Sequence, residues 1–332
     1  MNARRIVFVL VSVAVSAALL LVILRDIQFE EVLASIAAAD PALLLLSFAL
    51  VAVALVLRGI RWSVLLDRRI PIAPATHMVN IMFLGNQLPL RLGEVARGML
   101  ATRHQVPLGT SASSIVVERL IDTLIVVLMI AAAVGGSPDL TERAALFGAI
   151  ALFGFLVLLF FARSPGHAHR ILDGLLRLVP ILGRLPLKPL LNDLLDGVRP
   201  LTHVRALLSV VFWTASAWGV SLVGYYCLHL ALGIETDYLR SVTLGVSLAA
   251  LALALPVSIA GLGPFEGAIV VSGNIVGMDP LAAVSLGFLL HGVSVLSYVI
   301  WGTIGLLALG VSPASAFGAA ARENDEAAVI PG

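Results

Sequence analysis

The stretch PALLLLSFALVAVALVL, residues 41–57, decides the fold class. It contains no charged residue, begins with Pro41, a favoured first position of a helix, and stops at Arg58. An α-helix rises about 1.5 Å per residue, so about 20 apolar residues cross the hydrocarbon core of a bilayer. Ala42–Leu57 is therefore expected to span a membrane, with Arg58, Arg61, Arg68 and Arg69 following it. Comparable runs lie on both sides. Ile6–Leu24 precedes it, and a further run starts near Ile115 and ends before Gly135-Gly136. Ala144–Ala162, Ala206–Leu232, Leu239–Leu255 and Leu281–Leu309 complete the set.

Composition agrees. Of 332 residues, 60% are apolar and 12% charged, with a mean hydropathy of +1.04. A soluble domain carries roughly 25% charged residues. These values exclude a soluble globular protein, a disordered chain and a disulfide-stapled secreted domain. The alternating segments of about ten residues that build a transmembrane β-barrel are missing. The expected fold is all-α: a polytopic integral membrane helical bundle of about 7–8 spans with two re-entrant or broken segments. A net charge of +1 implies no nucleic-acid partner, and the single Cys227 forms no internal disulfide. Ile6–Leu24 exceeds the 7–15 residues or so of a signal-peptide core, so it reads as an uncleaved anchor.

Basic residues give the orientation. Arg4 and Arg5, the Arg58–Arg69 group, the Arg91–Arg103 group and the Arg163–Arg205 connection share one side if spans alternate. The opposite loops are mainly acidic, so the N-terminus is expected to be cytoplasmic. Within 163–205, Arg163, Arg170, Arg177 and Arg184 recur every seven residues, with Leu172, Leu175, Leu176 and Val179 between them. This predicts an interfacial amphipathic helix interrupted at Pro180, or else a solvated loop with one short helix. Residues 1–310 form one membrane domain in this reading, and 311–332 a disordered tail.

Two places break the apolar pattern alike: Asn86–Glu94 and Pro256–Gly267. Each puts Gly, Pro and a Glu inside a short apolar stretch beside a full span. Paired interruptions of this kind in two halves of a transporter expose backbone groups and helix ends to substrate. Ordinary loops between spans would give the same pattern. Gly261 and Gly263 resemble a nucleotide loop only superficially, because an apolar helix precedes them and Pro264 follows. Arg91, Glu94 and Arg97, three apart, would stack along one helix face. The two arginines are forked donors suited to phosphate. Glu118, Arg119 and Asp122 open the third span, with Glu118 and Asp122 four apart on one face. Charges inside a span are costly and should point to protein or water. They fit a polar groove or an ion-paired helix end. Arg58 and Arg61 fit head-group anchors or plain flanking charge. His167 and His169 have no clustered partners, so no metal site is expected, and no cofactor motif is present. His291, inside the last span, is either a packing residue or part of the groove.

Three motifs in order resemble the flippase-like membrane domain of the lysylphosphatidylglycerol synthase family. They are Gly85-Asn86-Gln87-Leu88-Pro89-Leu90-Arg91-Leu92-Gly93-Glu94-Val95-Ala96-Arg97, Val117-Glu118-Arg119-Leu120-Ile121-Asp122, and Gly261-Leu262-Gly263-Pro264-Phe265-Glu266. The resemblance covers roughly residues 5–310. It implies movement of a lipid or lipid-linked group between leaflets of a bacterial or archaeal plasma membrane. It assigns Asn86, Arg91, Glu94, Arg97, Glu118, Arg119, Asp122 and Glu266 to the polar site, and Gly261 and Gly263 stand beside them as candidate substrate-binding residues. Bifunctional members carry a soluble aminoacyl-transferase domain after the membrane region. This sequence has none, so it is not expected to be an enzyme, and its cargo is open between phospholipids and lipid-linked glycans. A second copy of the chain or envelope-biosynthesis enzymes are the protein partners to consider. Rival readings are an envelope-assembly scaffold, a membrane-embedded enzyme acting on a lipid phosphate, and a carrier of small soluble ions or metabolites.

Overall fold

The computed structural model describes residues 3–25, 27–88, 92–134, 138–179, 186–254 and 258–318. Among these residues every regular element is helical, and no strand occurs. The order is α1 (Ala3–Ile23), α2 (Phe29–Ala37), α3 (Pro41–Leu65), α4 (Ile72–Gly85), α5 (Leu92–Thr102), α6 (Leu108–Ala133), α7 (Pro138–Arg163), α8 (Pro165–Leu178), α9 (Leu187–Val198), a 3-10 turn (Arg199–Thr202), α10 (Val204–Ala231), α11 (Tyr238–Ala254), α12 (Pro264–Ile275) and α13 (Pro280–Ala308).

Local sequence sets the helix starts. Asp40 caps α3, its carboxylate accepting from the Ala42 and Leu43 amides at 2.8 and 3.4 Å, with Pro41 in the first turn. Asp279 and Pro280 repeat the device on α13, with the Ala282 amide 3.0 Å from the Asp279 carboxylate. Among the described residues three helices, α3, α10 and α13, are long and apolar enough to cross a bilayer by length and composition, and up to four spans result if the bent pair α7 and α8 is taken as one. The other helices differ from these for physical reasons. The third run starts at Leu108 rather than near Ile115, and this helix, α6, carries Glu118, Arg119 and Asp122. At 26 residues α6 is long enough to cross, but its charge load makes it a poor lipid-facing span. The helices α4 and α11 are apolar but short, at 14 and 17 residues.

The two expected breaks become two pairs of packed short helices. The chain leaves α4 at Gly85 and enters α5 at Leu92, and α4 packs on α5. Gly93 makes this approach possible: a Cβ there would lie 1.9 Å from the Met82 carbonyl oxygen. In the second pair α11 packs on α12. The turn before α12 has Ala260, Gly261 and Gly263 at φ of +54°, +84° and +89°, the left-handed region that glycine enters without steric cost. Pro256, at the start of the second break, lies outside the described residues.

Three apolar clusters hold the bundle. One joins the end of α3 to α4, α5 and the end of α13, through Trp62, Met78, Met82 and Leu306. A second joins α10, α11, α12 and α13 through Leu228, Val242, Ile269 and Leu286. The third joins α3, α6, α7 and α10 through Leu65, Val117, Phe155 and Val210. The amphipathic reading of 163–205 meets α8, which departs from α7 at 104° and exposes Ile171, Leu175 and Leu178. The interruption at Pro180 lies outside the described residues. The disordered tail expected from 311 is corrected in its first part: 313–318 is helical, and Val311, Ala316 and Phe317 are buried in the first cluster. Phe317 covers the Gly85 turn, its ring beside the backbone. Residues 319–332 lie outside the described residues.

Candidate functional site

A cavity of about 270 Å³ lies between α3, α4, α6, α10, α11 and α13. Its wall brings both breaks together. Asn86 and Gln87 come from the first, Ser258, Ala260, Gly261 and Phe265 from the second, and Glu118, Arg119 and Asp122 from α6. Residues far apart in the chain thus line one space.

Its charged side is built from three helices. Arg61 of α3 is 1% exposed and sits between two acids of α6. Its guanidinium donates to Glu118 Oε1 at 2.5 Å and to Asp122 Oδ1 and Oδ2 at 2.6 and 3.1 Å. The four-residue spacing on α6 is what lets one fork reach both carboxylates. Glu118 Oε2 accepts from Arg97 of α5 at 3.1 Å, and the Arg97 guanidinium lies 4.6 Å from the Trp62 ring centroid. Trp62 is held in turn by its indole N–H donating to Ser114 Oγ at 3.0 Å. Asp122 also accepts from Trp218 Nε1 of α10 at 3.0 Å. At the edge, Arg119 pairs with Glu94, with 52% and 31% of the two side chains exposed.

Arg58 stands apart. It lines the cavity one turn before Arg61 and donates to Ser221 Oγ at 3.3 Å. Its guanidinium carbon lies 5.8 Å from the Phe83 centroid and 5.9 Å from that of Trp218. Tyr298 stacks on Phe83 at 4.7 Å and closes this aromatic collar. Among the described residues Arg58 has no carboxylate partner. Among the described residues the cluster holds Arg58, Arg61, Arg97 and Arg119 against Glu94, Glu118 and Asp122, so four positive charges meet three negative ones. The surplus charge belongs to Arg58. Asn86 and Gln87 belong to the same wall, but their side-chain oxygens are buried out of reach of the cavity and, among the described residues, have no hydrogen-bond partner.

The sequence-derived candidates therefore divide. Asn86, Glu118, Arg119, Asp122 and Gly261 line the cavity. Arg97 and Glu94 lie behind or beside it and hold Glu118 and Arg119. Arg91 lies outside the described residues. Gly263 and Glu266 are buried behind the second turn: Glu266 is 0% exposed, accepts from the Gly263 amide at 2.8 Å and meets His291 Nδ1 at 2.6 Å. The sequence expectation for Arg58 and Arg61 is a head-group anchor or flanking charge. Arg61 is neither, being buried in a salt-bridged triad. The available signal was their three-residue spacing opposite an equally odd charged helix. Among the described residues no group of His, Cys, Asp or Glu could hold a metal ion.

Comparison with known proteins agrees with this architecture. The chain is 27% identical over 341 aligned positions to the glycosyltransferase AglD of Haloferax volcanii, covering 89% of this chain and 53% of that protein. It thus spans about half the length of this relative. No solved structure matches. The family model described as the lysylphosphatidylglycerol synthase TM region matches residues 9–302, and the chain, a membrane-embedded protein, belongs to that family.

Proposed function

We propose that this protein moves an anionic lipid or lipid-linked group between leaflets of the plasma membrane, its N-terminus on the cytoplasmic side. The observation that supports this reading is Arg58: a cavity-lining arginine that has no carboxylate partner among the described residues, in a ring of Phe83, Trp218 and Tyr298. A phosphate crossing a bilayer unaided loses its hydration, at a cost of several kcal/mol or more per uncompensated polar group. A surplus guanidinium replaces water around that charge. The space is suited to a head group whose acyl chains stay in the bilayer. Phospholipids meet this description, and so do lipid-linked sugar phosphates, which we include because the relative is named a glycosyltransferase.

An enzyme acting on a lipid phosphate needs a free acid or base. Glu118 and Asp122, the carboxylates nearest that role, are both bound to Arg61. A scaffold would need no surplus charge in a cavity. The test is leaflet exchange of fluorescent anionic and zwitterionic phospholipids, and of a polyprenyl-linked sugar phosphate, in liposomes containing the purified protein. Faster exchange of one anionic class than in protein-free liposomes is expected. Exchange of none of them would remove the carrier reading.

A further inference from the structure

The second break is held by a buried pair that the cavity chemistry does not use. Glu266 of α12 is 0% exposed and His291 of α13 is 5% exposed. His291 Nδ1 lies 2.6 Å from Glu266 Oε1, and His291 Nε2 lies 3.1 Å from the Ala260 carbonyl oxygen. The Gly263 amide donates to Glu266 Oε2 at 2.8 Å. The Phe265 ring covers the imidazole, centroids 4.7 Å apart. The pair thus fastens both ends of the turn whose Ala260 and Gly261 form part of the cavity wall.

Counting protons shows what these contacts need. A carbonyl oxygen only accepts, so His291 Nε2 carries a hydrogen. The short Nδ1 to Oε1 contact then needs a second hydrogen, either on Nδ1 or on the carboxyl. In both forms the pair is neutral overall and holds one proton beyond that of a neutral imidazole facing a carboxylate. Remove that proton and two lone pairs face each other at one contact or the other. The clamp then loses a hydrogen bond, whichever tautomer forms.

Few other charges compete for this proton. Of the elements packed on the pair, α11 carries Tyr238 and Arg240, and Arg240 donates to the Ala133 carbonyl at 3.0 Å. On α13 there is Tyr298; on α2, Glu30 and Glu31; on α3, Arg58 and Arg61; on α4, His77; on α10, Arg205, Tyr225, Tyr226, Cys227 and His229. Arg4 and Arg5 are at the opposite end of α1 from Ser16 and Leu19, which meet Gly263. Among the described residues none of these hydrogen-bonds or ion-pairs with Glu266 or His291.

We propose that Glu266 and His291 form a proton-binding site that clamps the second turn of the cavity. With the proton bound, the Ala260–Gly263 turn is fixed. Loss of the proton leaves the pair with one negative charge and frees the turn to move. Transport then speeds up as pH rises, a consequence that rests on the lipid-carrier reading, whereas the clamp itself does not. Glu266→Gln mimics the closed form: its Oε1 accepts from Gly263, its amide N–H donates to Nδ1, and no titrating proton is needed.

The test is hydrogen–deuterium exchange of the peptide covering 258–264 in the full-length protein in nanodiscs, from about pH 5 to about pH 9, a range that brackets histidine ionisation. After correction for chemical exchange, wild-type protection should fall about tenfold as pH rises, the ratio for losing one charge-assisted hydrogen bond. Glu266→Gln should stay protected throughout. Wild-type protection that is the same at every pH overturns the proposal, and this result needs no variant to fold. A pH-dependent turn in a protein that moves no lipid would keep the clamp and remove the carrier reading. Lipid exchange with a pH-independent turn would do the reverse.

Discussion

Arg61 and Arg58 sit one turn apart and have opposite roles, which makes them the clearest test at the scale of residues. Arg61 neutralises two acids inside the bundle. Replacing it by Ala leaves Glu118 and Asp122 beside the cavity without their main cation, a change that costs about 3–5 kcal/mol. Arg61→Ala should lower the thermal midpoint in detergent markedly or prevent recovery of folded protein. Arg119→Ala breaks a half-exposed pair with Glu94 and should cost about 1 kcal/mol or less in the same measurement. The sequence located part of this site by a sound argument: charges in a span must face protein or water, and Glu118, Arg119 and Asp122 do. It could not separate Arg58 from Arg61, because arginines that flank a span look alike until their partners are known. The partners lie 57 and 61 positions further along the chain. His291 and Glu266, 25 positions apart, stayed unpaired in the sequence for the same reason.

At the scale of elements, the two short helix pairs carry the site, and glycine decides whether they can form. Gly93→Ala places a Cβ 1.9 Å from the Met82 carbonyl, against backbone that has nowhere to move. It should destabilise the α4–α5 pair by about 1–3 kcal/mol, the usual range for overpacking. A lowered thermal midpoint, with faster hydrogen exchange in α5 than in α10, would show it. Both pairs were legible as breaks in the apolar pattern, because Gly and Pro interrupt a run too short to cross. Their form was not. A short apolar run beside a charged one fits a loop, a broken span or a helical hairpin, and packing at Gly93 selects the last. The helix over 313–318 was missed because its few apolar residues show no period, yet Phe317 covers the Gly85 turn.

For the whole molecule, composition and long apolar runs were enough to give an all-α membrane bundle. Among the described residues only three or four spans meet the length and hydropathy of a lipid-facing helix, since α6 trades hydropathy for the salt-bridged cluster and α4 and α11 are short. The result is a bundle whose interior holds a cavity walled by both breaks, with one positive charge in excess among the described residues. The central claim is that this excess charge receives an anionic head group. The most direct measurement is anionic-lipid exchange in liposomes bearing Arg58→Gln beside wild type and Arg58→Lys. Among the described residues Arg58 holds no carboxylate, so the Gln variant should fold normally and lose exchange by about tenfold or more, as expected for one lost charge-assisted hydrogen bond to phosphate. Arg58→Lys should retain part of the rate. Folded Arg58→Gln protein that exchanges anionic lipid as fast as wild type would contradict the account.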